Sequence, residues 1–455
     1  MKIIVSNNIR IQEPDELIKK YAEETLVIPN PDYLRNERLG YSNYKTSRFL
    51  VFYEINGNEL ILPFGCLTDL FAMYPLEIFE NRIVLGKHVT YKSNIKLFDY
   101  QEKVCEKALL RKNGIIVMPA GSGKTQTALE IIARLRLKTL WITHTIDLLN
   151  QSYNRAKNNF ENIGLGKIAN GKIEIGTHIT FATVQTLKSI DLQTYADTWD
   201  CIIVDECHRV CGTPAKAGMF YKVINKLVAR YKYGLTATPY RNVKGTEKAM
   251  FSLLGKTIIE LDKEVIGDRI IPATIVKKVT KFYQIPEKCQ EADGTIKYAL
   301  LTTALSEDYE RNQIILDILN KCRNNYTLVL TDRVGQMEYL RKRLGYGNVI
   351  DGKTKKDIRE NAIQEIREGK EKVIFATYGL AKEGLDIPRL DRLILASPHR
   401  DKATVIQAIG RIERKFENKT NPICYDLVDP TQYFQNMYRT RKSYYKKNNN
   451  RIIEI

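Results

Sequence analysis

Residues 114–135 read Gly114-Ile-Ile-Val-Met118-Pro119-Ala120-Gly121-Ser122-Gly123-Lys124-Thr125, followed by QTALEIIARL. A short apolar run gives way to a glycine-rich turn and then to an amphipathic helical pattern, so the local order is strand, turn, helix. Glycines let backbone N–H groups curl round a phosphate, and the helix N-terminus adds a favourable dipole. Lys124 would reach the β and γ phosphates of a nucleotide, and the Thr125 hydroxyl would ligate Mg²⁺. Met118 stands where the usual pattern has its first glycine, but the core Ala120-Gly121-Ser122-Gly123-Lys124-Thr125 is intact.

Working outward, the same alternation continues in both directions. TLWITH leads into a helical pattern with Leu148, Leu149 and Tyr153, and ITFAT and DCIIVDE follow. YTLVLT, KVIFAT and RLILASP then repeat the theme, the last leading into TVIQAIGRI. Strands alternating with helices imply βαβ units and parallel sheets. Residues 96–262 and 263–455 are therefore predicted as two α/β lobes in tandem. Residues 1–95 differ, with Val, Ile, Phe and Tyr runs broken by turn signals. RFLVFYEI and ELILPF flank an Asn56-Gly57 turn and predict a hairpin within a small α+β module.

The 455 residues carry 71 Lys and Arg against 53 Asp and Glu, a net of +18. That excess is unevenly spread: residues 1–95 hold 11 basic against 12 acidic side chains, leaving a net of +19 for the remainder. Such a balance points to a polyanionic partner, nucleic acid before an anionic membrane. The eight Cys are scattered without a CxxC pair, so no disulfide framework or zinc ribbon is expected, and Cys207, His208 and Cys211 lack a second ligand pair. No apolar run nears the roughly 18 residues that would span a bilayer, and the start is too polar for a signal peptide. A soluble protein of the cytoplasm, bacterial or phage-infected, is the expectation. Aromatic and basic residues interleave from Tyr438 to Arg451, a pattern suited to stacking and phosphate neutralisation or to a frayed terminus.

Two acids, Asp205 and Glu206, close the apolar run CIIVDE. At the end of a parallel strand they would face a ligand crevice, Asp205 holding Mg²⁺ and Glu206 polarising the attacking water. The tetrad Asp205-Glu206-Cys207-His208, with the glycine-rich turn and Gly234-Leu-Thr236-Ala-Thr238-Pro239-Tyr-Arg241, resembles the superfamily II helicases. Within them it is similar to the XPB and UvsW type, related to the motor subunits of restriction enzymes. Leu97-Phe-Asp-Tyr100-Gln101 resembles the adenine-reading Q motif. Thr143-His144 matches motif Ia, and Thr183-Val-Gln185-Thr186-Leu187 matches motif Ic. Leu330-Thr331-Asp332-Arg333 resembles motif IV, Ala376-Thr377 with Glu383-Gly384-Leu-Asp386 motif V, and Gln407-Ala-Ile-Gly410-Arg411-Ile-Glu-Arg414 motif VI.

The resemblance implies two RecA-like lobes, ATP and Mg²⁺ as cofactors, and Gln101, Gly121, Ser122, Gly123, Lys124, Thr125, Gly384 and Asp386 at the nucleotide. It implies catalytic roles for Lys124, Asp205, Glu206, Arg411 and Arg414, the two arginines approaching from the second lobe along one helix face. Thr143, His144, Thr183, Gln185, Thr331, Arg333 and Thr377 would grip a nucleic-acid backbone. His208, Thr236, Thr238 and Gln407 would couple that grip to hydrolysis. The implied activity is ATP-dependent unwinding of forked or branched DNA by a monomer with 3′ to 5′ polarity, serving branch migration or fork regression, with residues 1–95 available for junction recognition. An RNA helicase or double-stranded-RNA-stimulated ATPase, and a nucleic-acid scaffold with an inactive motor, are the competing expectations.

Overall fold

The computed structural model describes residues 1–239, 247–383, 385, 387–399, 401–419 and 421–454. The chain divides into two compact units, Met1–Pro119 with Gly123–Val265, and Ile266–Ile455 with Ala120–Ser122. Among the described residues each unit is built round a parallel sheet carrying helices, the α/β architecture its alternating pattern predicts.

In the first unit an eight-stranded sheet places Lys172–Ile173, Leu165–Ala169, Ile179–Thr183, Thr139–Thr143, Cys201–Asp205, Tyr231–Thr236, Asn113–Val117 and Thr257–Glu260 side by side. All its pairings are parallel except at the two-residue edge strand Lys172–Ile173. Its central strands are covered on both faces, which is why they read as unbroken apolar runs. Tyr231–Thr236 is less legible, since it begins Tyr-Lys-Tyr and buries Lys232 completely.

Residues 1–95 are not a separate body. Their five-stranded sheet pairs Lys2–Val5 with Asn8–Gln12, Asn8–Gln12 with Glu59–Pro63, and Glu54–Asn56 with Glu59–Pro63, all antiparallel. Phe79–Asn81 joins Lys2–Val5 in parallel. The expected hairpin is present at Gly57, whose φ of 58° suits glycine, but its first strand is shorter than RFLVFYEI. Phe49–Val51 instead pairs with Val27–Pro29, and Phe52 between the two pieces is buried in the core. One apolar core runs from Ile3, Ile9, Leu62 and Phe64 into Ile115, Ile202, Ile224 and Leu254. Polar contacts seal the join: Asn7 Nδ2 donates to the Asn225 carbonyl at 2.6 Å, and Lys256 Nζ lies 2.6 Å from Asp69 Oδ1.

The second unit holds a seven-stranded, wholly parallel sheet ordered Asn348–Ile350, Val373–Ala376, Thr327–Leu330, Arg392–Leu395, Ile423–Val428, Thr274–Val279 and Ile452–Glu454. The interleaved aromatic and basic segment is part of this body, not a frayed end. It forms the helix Gln432–Lys447, whose residues Phe434, Met437, Tyr438, Arg441 and Tyr445 are buried at helical spacing. Arg441 meets Asp426 in a bidentate pair, Nε to Oδ2 at 2.9 Å and Nη2 to Oδ1 at 2.8 Å. The Tyr445 hydroxyl donates to the same carboxylate at 2.7 Å. Among the described residues no helix is long and apolar enough to cross a membrane.

Lys232 sits where the N-terminal module meets the eight-stranded sheet. Its ammonium donates to the Leu227 carbonyl at 3.0 Å and the Asn7 carbonyl at 3.4 Å, and lies 4.3 Å from the Phe64 ring centroid. With no carboxylate beside it among the described residues, burial pushes this amine down to about 7. Between that value and the usual lysine range the unfolded chain binds a proton that the folded chain does not, so stability rises with pH. The wild type should therefore gain up to about 1.4 kcal/mol per pH unit above pH 7 relative to Lys232→Met. Denaturant midpoints of both proteins at pH 7, 8 and 9 read the difference.

Candidate nucleotide and nucleic-acid site

The motifs of the first unit lie at the carboxyl ends of its parallel strands. Asn113–Val117 runs into the glycine-rich turn, Thr139–Thr143 ends at motif Ia, Ile179–Thr183 at motif Ic, Cys201–Asp205 at the acid pair, and Tyr231–Thr236 at Thr236 itself. The register aligns Thr143 with Thr183, Asp205 with Leu235, and Val117 with Thr236. Loops distant in sequence therefore emerge at one edge.

Gly121 and Gly123 both adopt left-handed conformations, φ 82° and 81°, and Gly123 is the residue from which the helix Lys124–Leu135 starts. Met118 replaces glycine without cost because it needs no such conformation. Its side chain is buried, and its N–H donates to the Thr236 carbonyl at 3.0 Å. Lys124 Nζ donates to the carbonyls of Met118 and Pro119 at 3.2 and 3.4 Å, folded back into the loop a phosphate would fill. Ser122 is buried and Thr125 half-buried in the first helical turn. Gln101 is buried behind the loop, its Oε1 accepting from the Phe98 N–H at 3.0 Å. A Cβ placed on Gly123 would stand 2.3 Å from Gln101 Nε2, so the Q-motif amide and the turn are packed together.

Asp205 is buried, and its Oδ1 accepts from the Glu206 N–H at 3.0 Å. Burial, then the Glu206 carboxylate, hold Asp205 above the usual carboxylate range, while Lys124 pulls the other way. Glu206 goes down instead: burial would raise it, but His208, Lys124 and Arg209 outweigh that. His208 Nδ1 lies 3.2 Å from Glu206 Oε2 and 3.0 Å from Thr236 Oγ1. Thr236 Oγ1 also accepts from the Thr238 N–H at 3.0 Å. The four predicted coupling and catalytic residues Glu206, His208, Thr236 and Thr238 thus form one chain of contacts. Arg155, on Ile146–Asn159, also favours the charged form of Asp205, and it lies in none of the motifs read from the sequence.

These residues fit a magnesium-bound nucleotide. An acid pair with opposed titration lies within the electrostatic reach of the Lys124 ammonium, and Thr238 Oγ1 is buried without a hydrogen-bond partner among the described residues. Among the described residues no three His, Cys, Asp or Glu side chains are grouped to hold a metal ion.

The strand-gripping residues divide. His144 and Gln185 come together, Gln185 Nε2 lying 3.4 Å from His144 Nδ1, with Gln185 exposed. Thr377 is half-buried at the end of Val373–Ala376. Thr143, Thr183 and Thr331 are buried, contrary to a direct phosphate role for their hydroxyls. Thr143 Oγ1 donates to the Thr145 carbonyl at 3.1 Å, Thr183 Oγ1 meets Thr186 Oγ1 at 3.0 Å, and Thr331 Oγ1 bonds Gln336 and Ser397. Arg333 is likewise engaged, donating to Thr303 Oγ1 at 3.0 Å and to the Ala299 carbonyl at 2.6 Å.

In the second unit Gln407 is buried with Oε1 unpartnered among the described residues, and Arg411 Nε donates to the Ala381 carbonyl at 3.1 Å. The helix Lys402–Ile412 stops short of Arg414, so the two arginines do not share a helix face as predicted. The chain turns at Glu413 because the segment opening this unit captures it. The Ile271 N–H donates to the Glu413 carbonyl at 2.8 Å, and Ile270 bridges to Arg414. The Glu413 side chain, buried, accepts from Asn450 Nδ2 at 3.0 Å and from the Ala273 N–H at 3.2 Å. Gly384, Asp386 and Arg241 lie outside the described residues.

Residues 94–241 match the family model described as Type III restriction enzyme, res subunit, and residues 310–415 match the helicase conserved C-terminal domain. The chain is 28% identical over 399 residues to the DNA 3'-5' translocase XPB2 of Sulfurisphaera tokodaii, covering 79% of this chain and 88% of that protein. It is 26% identical over 457 residues to L396 of Acanthamoeba polyphaga mimivirus, named for ATP-dependent RNA helicase activity, covering 95% of this chain and 82% of that protein. Among solved structures, the DNA-bound ATP-dependent Type ISP restriction-modification enzyme LlaBIII superposes with a TM-score of 0.55 at 17% identity. That match takes in 79% of this chain but 31% of the larger one.

Two substitutions test this geometry. Gly123→Ala should drive a methyl into Gln101 from a backbone conformation alanine resists, and lose nucleotide affinity with the fold retained. Titration with a fluorescent ATP analogue beside circular dichroism checks it. Asn450→Ala should remove a partner of the buried Glu413 carboxylate and cost about 1–3 kcal/mol, read from denaturant midpoints.

Proposed function

The chain belongs to the superfamily II helicases of the XPB type, and from that footing we propose an ATP-dependent DNA helicase and translocase acting on forked or branched DNA. The observation that carries the reading is the contact chain from the acid pair through His208 to Thr236 and Thr238, at the carboxyl edge of one parallel sheet and within the electrostatic reach of Lys124. Lys124 neutralises the β and γ phosphates, and Gln101 and the backbone of residues 121–125 position the nucleotide. Thr125 and Asp205 are the residues that would hold magnesium, which, when bound, neutralises phosphate oxygens. Glu206, kept ionised by its surroundings, orients the attacking water and takes up its proton. Water oxygen bonds to the γ-phosphorus as the bond to the β–γ bridging oxygen breaks, giving ADP and inorganic phosphate. Arg411 and Arg414 supply cations to the transferring phosphoryl group.

His144, Gln185 and Thr377 present polar groups to a phosphate backbone, and the His208–Thr236 contact transmits the state of the nucleotide site. Polarity of 3′ to 5′ and a role in branch migration, fork regression or repair extend the kinship with XPB-type relatives and with the named phage helicase D10 of Escherichia phage T5. An RNA-directed motor is the second reading, favoured by the match to L396 over 95% of this chain.

Lys124→Ala and Glu206→Gln should each abolish ATP turnover while leaving nucleic-acid affinity largely intact, measured by phosphate release and fluorescence anisotropy. Arg414→Ala should lower kcat far more than nucleotide affinity, because its contact strengthens in the transition state. Equal losses would place Arg414 in ground-state binding. ATPase rates with forked DNA, single-stranded DNA and double-stranded RNA decide between the readings: stimulation by the fork supports the first, and by RNA alone overturns it.

A further inference from the structure

Residues 27–51 leave the N-terminal sheet and return to it, and almost nothing in them is buried. The pair Val27–Pro29 and Phe49–Val51 forms the stem, and the helix Pro31–Arg38 has no buried residue at all. Such a helix draws little from packing, so its order must come from elsewhere. Asn30 caps it, accepting from the Asp32 N–H at 3.0 Å, while its own amide donates to the Ser47 carbonyl at 2.7 Å. Asn36 Nδ2 donates to Asn43 Oδ1 at 3.1 Å, and Asn43 Nδ2 to the Tyr33 carbonyl at 3.2 Å, fastening the following loop to the helix. The excursion is therefore held by its own polar contacts.

What it holds out is unusual for a solvated surface. Tyr44 is 90% exposed and Tyr41 59%, with Leu34, Leu39 and Phe49 exposed on the same 25 residues. The excursion carries Arg35, Arg38, Lys45 and Arg48 against Asp32 and Glu37, a net of +2, while the rest of residues 1–95 nets −3. Arg35 has Asp32 at 3.6 Å, whereas Arg38, Lys45 and Arg48 have no ion-pair partner among the described residues. Cations and aromatic tips are thus gathered on one projection of an otherwise acidic module, in a chain of net charge +18. Flat rings offered beside unneutralised cations match nucleotides, which present a π-face and a phosphate at each step.

We propose that residues 27–51 are a docking surface for unpaired bases of single-stranded nucleic acid, Tyr41 and Tyr44 stacking on bases while Arg38, Lys45 and Arg48 meet phosphates. This rests on the motor reading above and adds a second contact, on an element that reading does not use. Because the module shares one core with the eight-stranded sheet, strand held here stays in fixed relation to His144 and Gln185.

The test is fluorescence anisotropy, without nucleotide, on a fork with unpaired arms and on a blunt duplex of equal length. Tyr44→Ala should bind the fork about tenfold more weakly, within what one stacked base is worth, and the blunt duplex less than twofold more weakly. Lys45→Ala with Arg48→Ala should lower the slope of log affinity against log salt on the fork by about 1.4. Tyr44 is too exposed to support the fold, and an unchanged melting temperature verifies that. Wild-type affinity of Tyr44→Ala for both DNAs, or equal loss on both, overturns the proposal and leaves the motor reading standing; a surface for a protein partner gives the first of these results. Failure of the wild-type chain to bind either DNA overturns the motor reading itself.

Discussion

A strand can be followed by a parallel neighbour only if the chain crosses back over the sheet, and every such crossover returns the next loop to the same edge. That constraint is what gives this molecule a site. Asp205, Thr236, Val117 and Thr143 are separated by up to 119 residues, yet their strands end in register. Acids that would repel each other elsewhere are held side by side there, because the sheet fixes their Cα positions and neighbouring cations share the load. The opposed behaviour of Asp205 and Glu206 follows from unequal surroundings, one next to the other's charge and the second next to His208.

The N-terminal module extends that frame. A lysine with no carboxylate, taken fully out of water, is a poor stabiliser, and its presence at the join argues that position there is held by the apolar core around it. Ile3, Ile9, Leu62 and Phe64 continue into the first sheet's own core, so displacing the module would expose the sheet. Whatever the module touches is consequently referred to the same core as the strand that carries the acid pair.

Much of this was legible because phosphate chemistry demands contiguous residues. Gly121, Gly123, Lys124 and Thr125 must be neighbours to curl round one phosphate, and Asp205 and Glu206 must follow one strand. The remainder depended on contacts between segments far apart. Thr331 looks like a surface hydroxyl until Gln336 and Ser397 claim it. Arg441 and Tyr445 read as a basic, stacking surface although Asp426 draws both inward; their helical spacing with Tyr438 was the available signal. Arg414 falls off its helix because Glu413 is bound by Ala273 and Asn450, residues 140 and 37 positions away, which no local pattern reveals.

The order of strands in the second sheet also sets a timetable. Thr274–Val279, the first of its strands to be made, ends up between Ile423–Val428 and Ile452–Glu454, the last two. During synthesis it must wait, both edges unpaired, for well over a hundred residues, while the first unit already has every strand it needs. A nascent chain therefore carries a complete first sheet followed by an open β-edge, the kind of edge that recruits chaperones or a wrong strand.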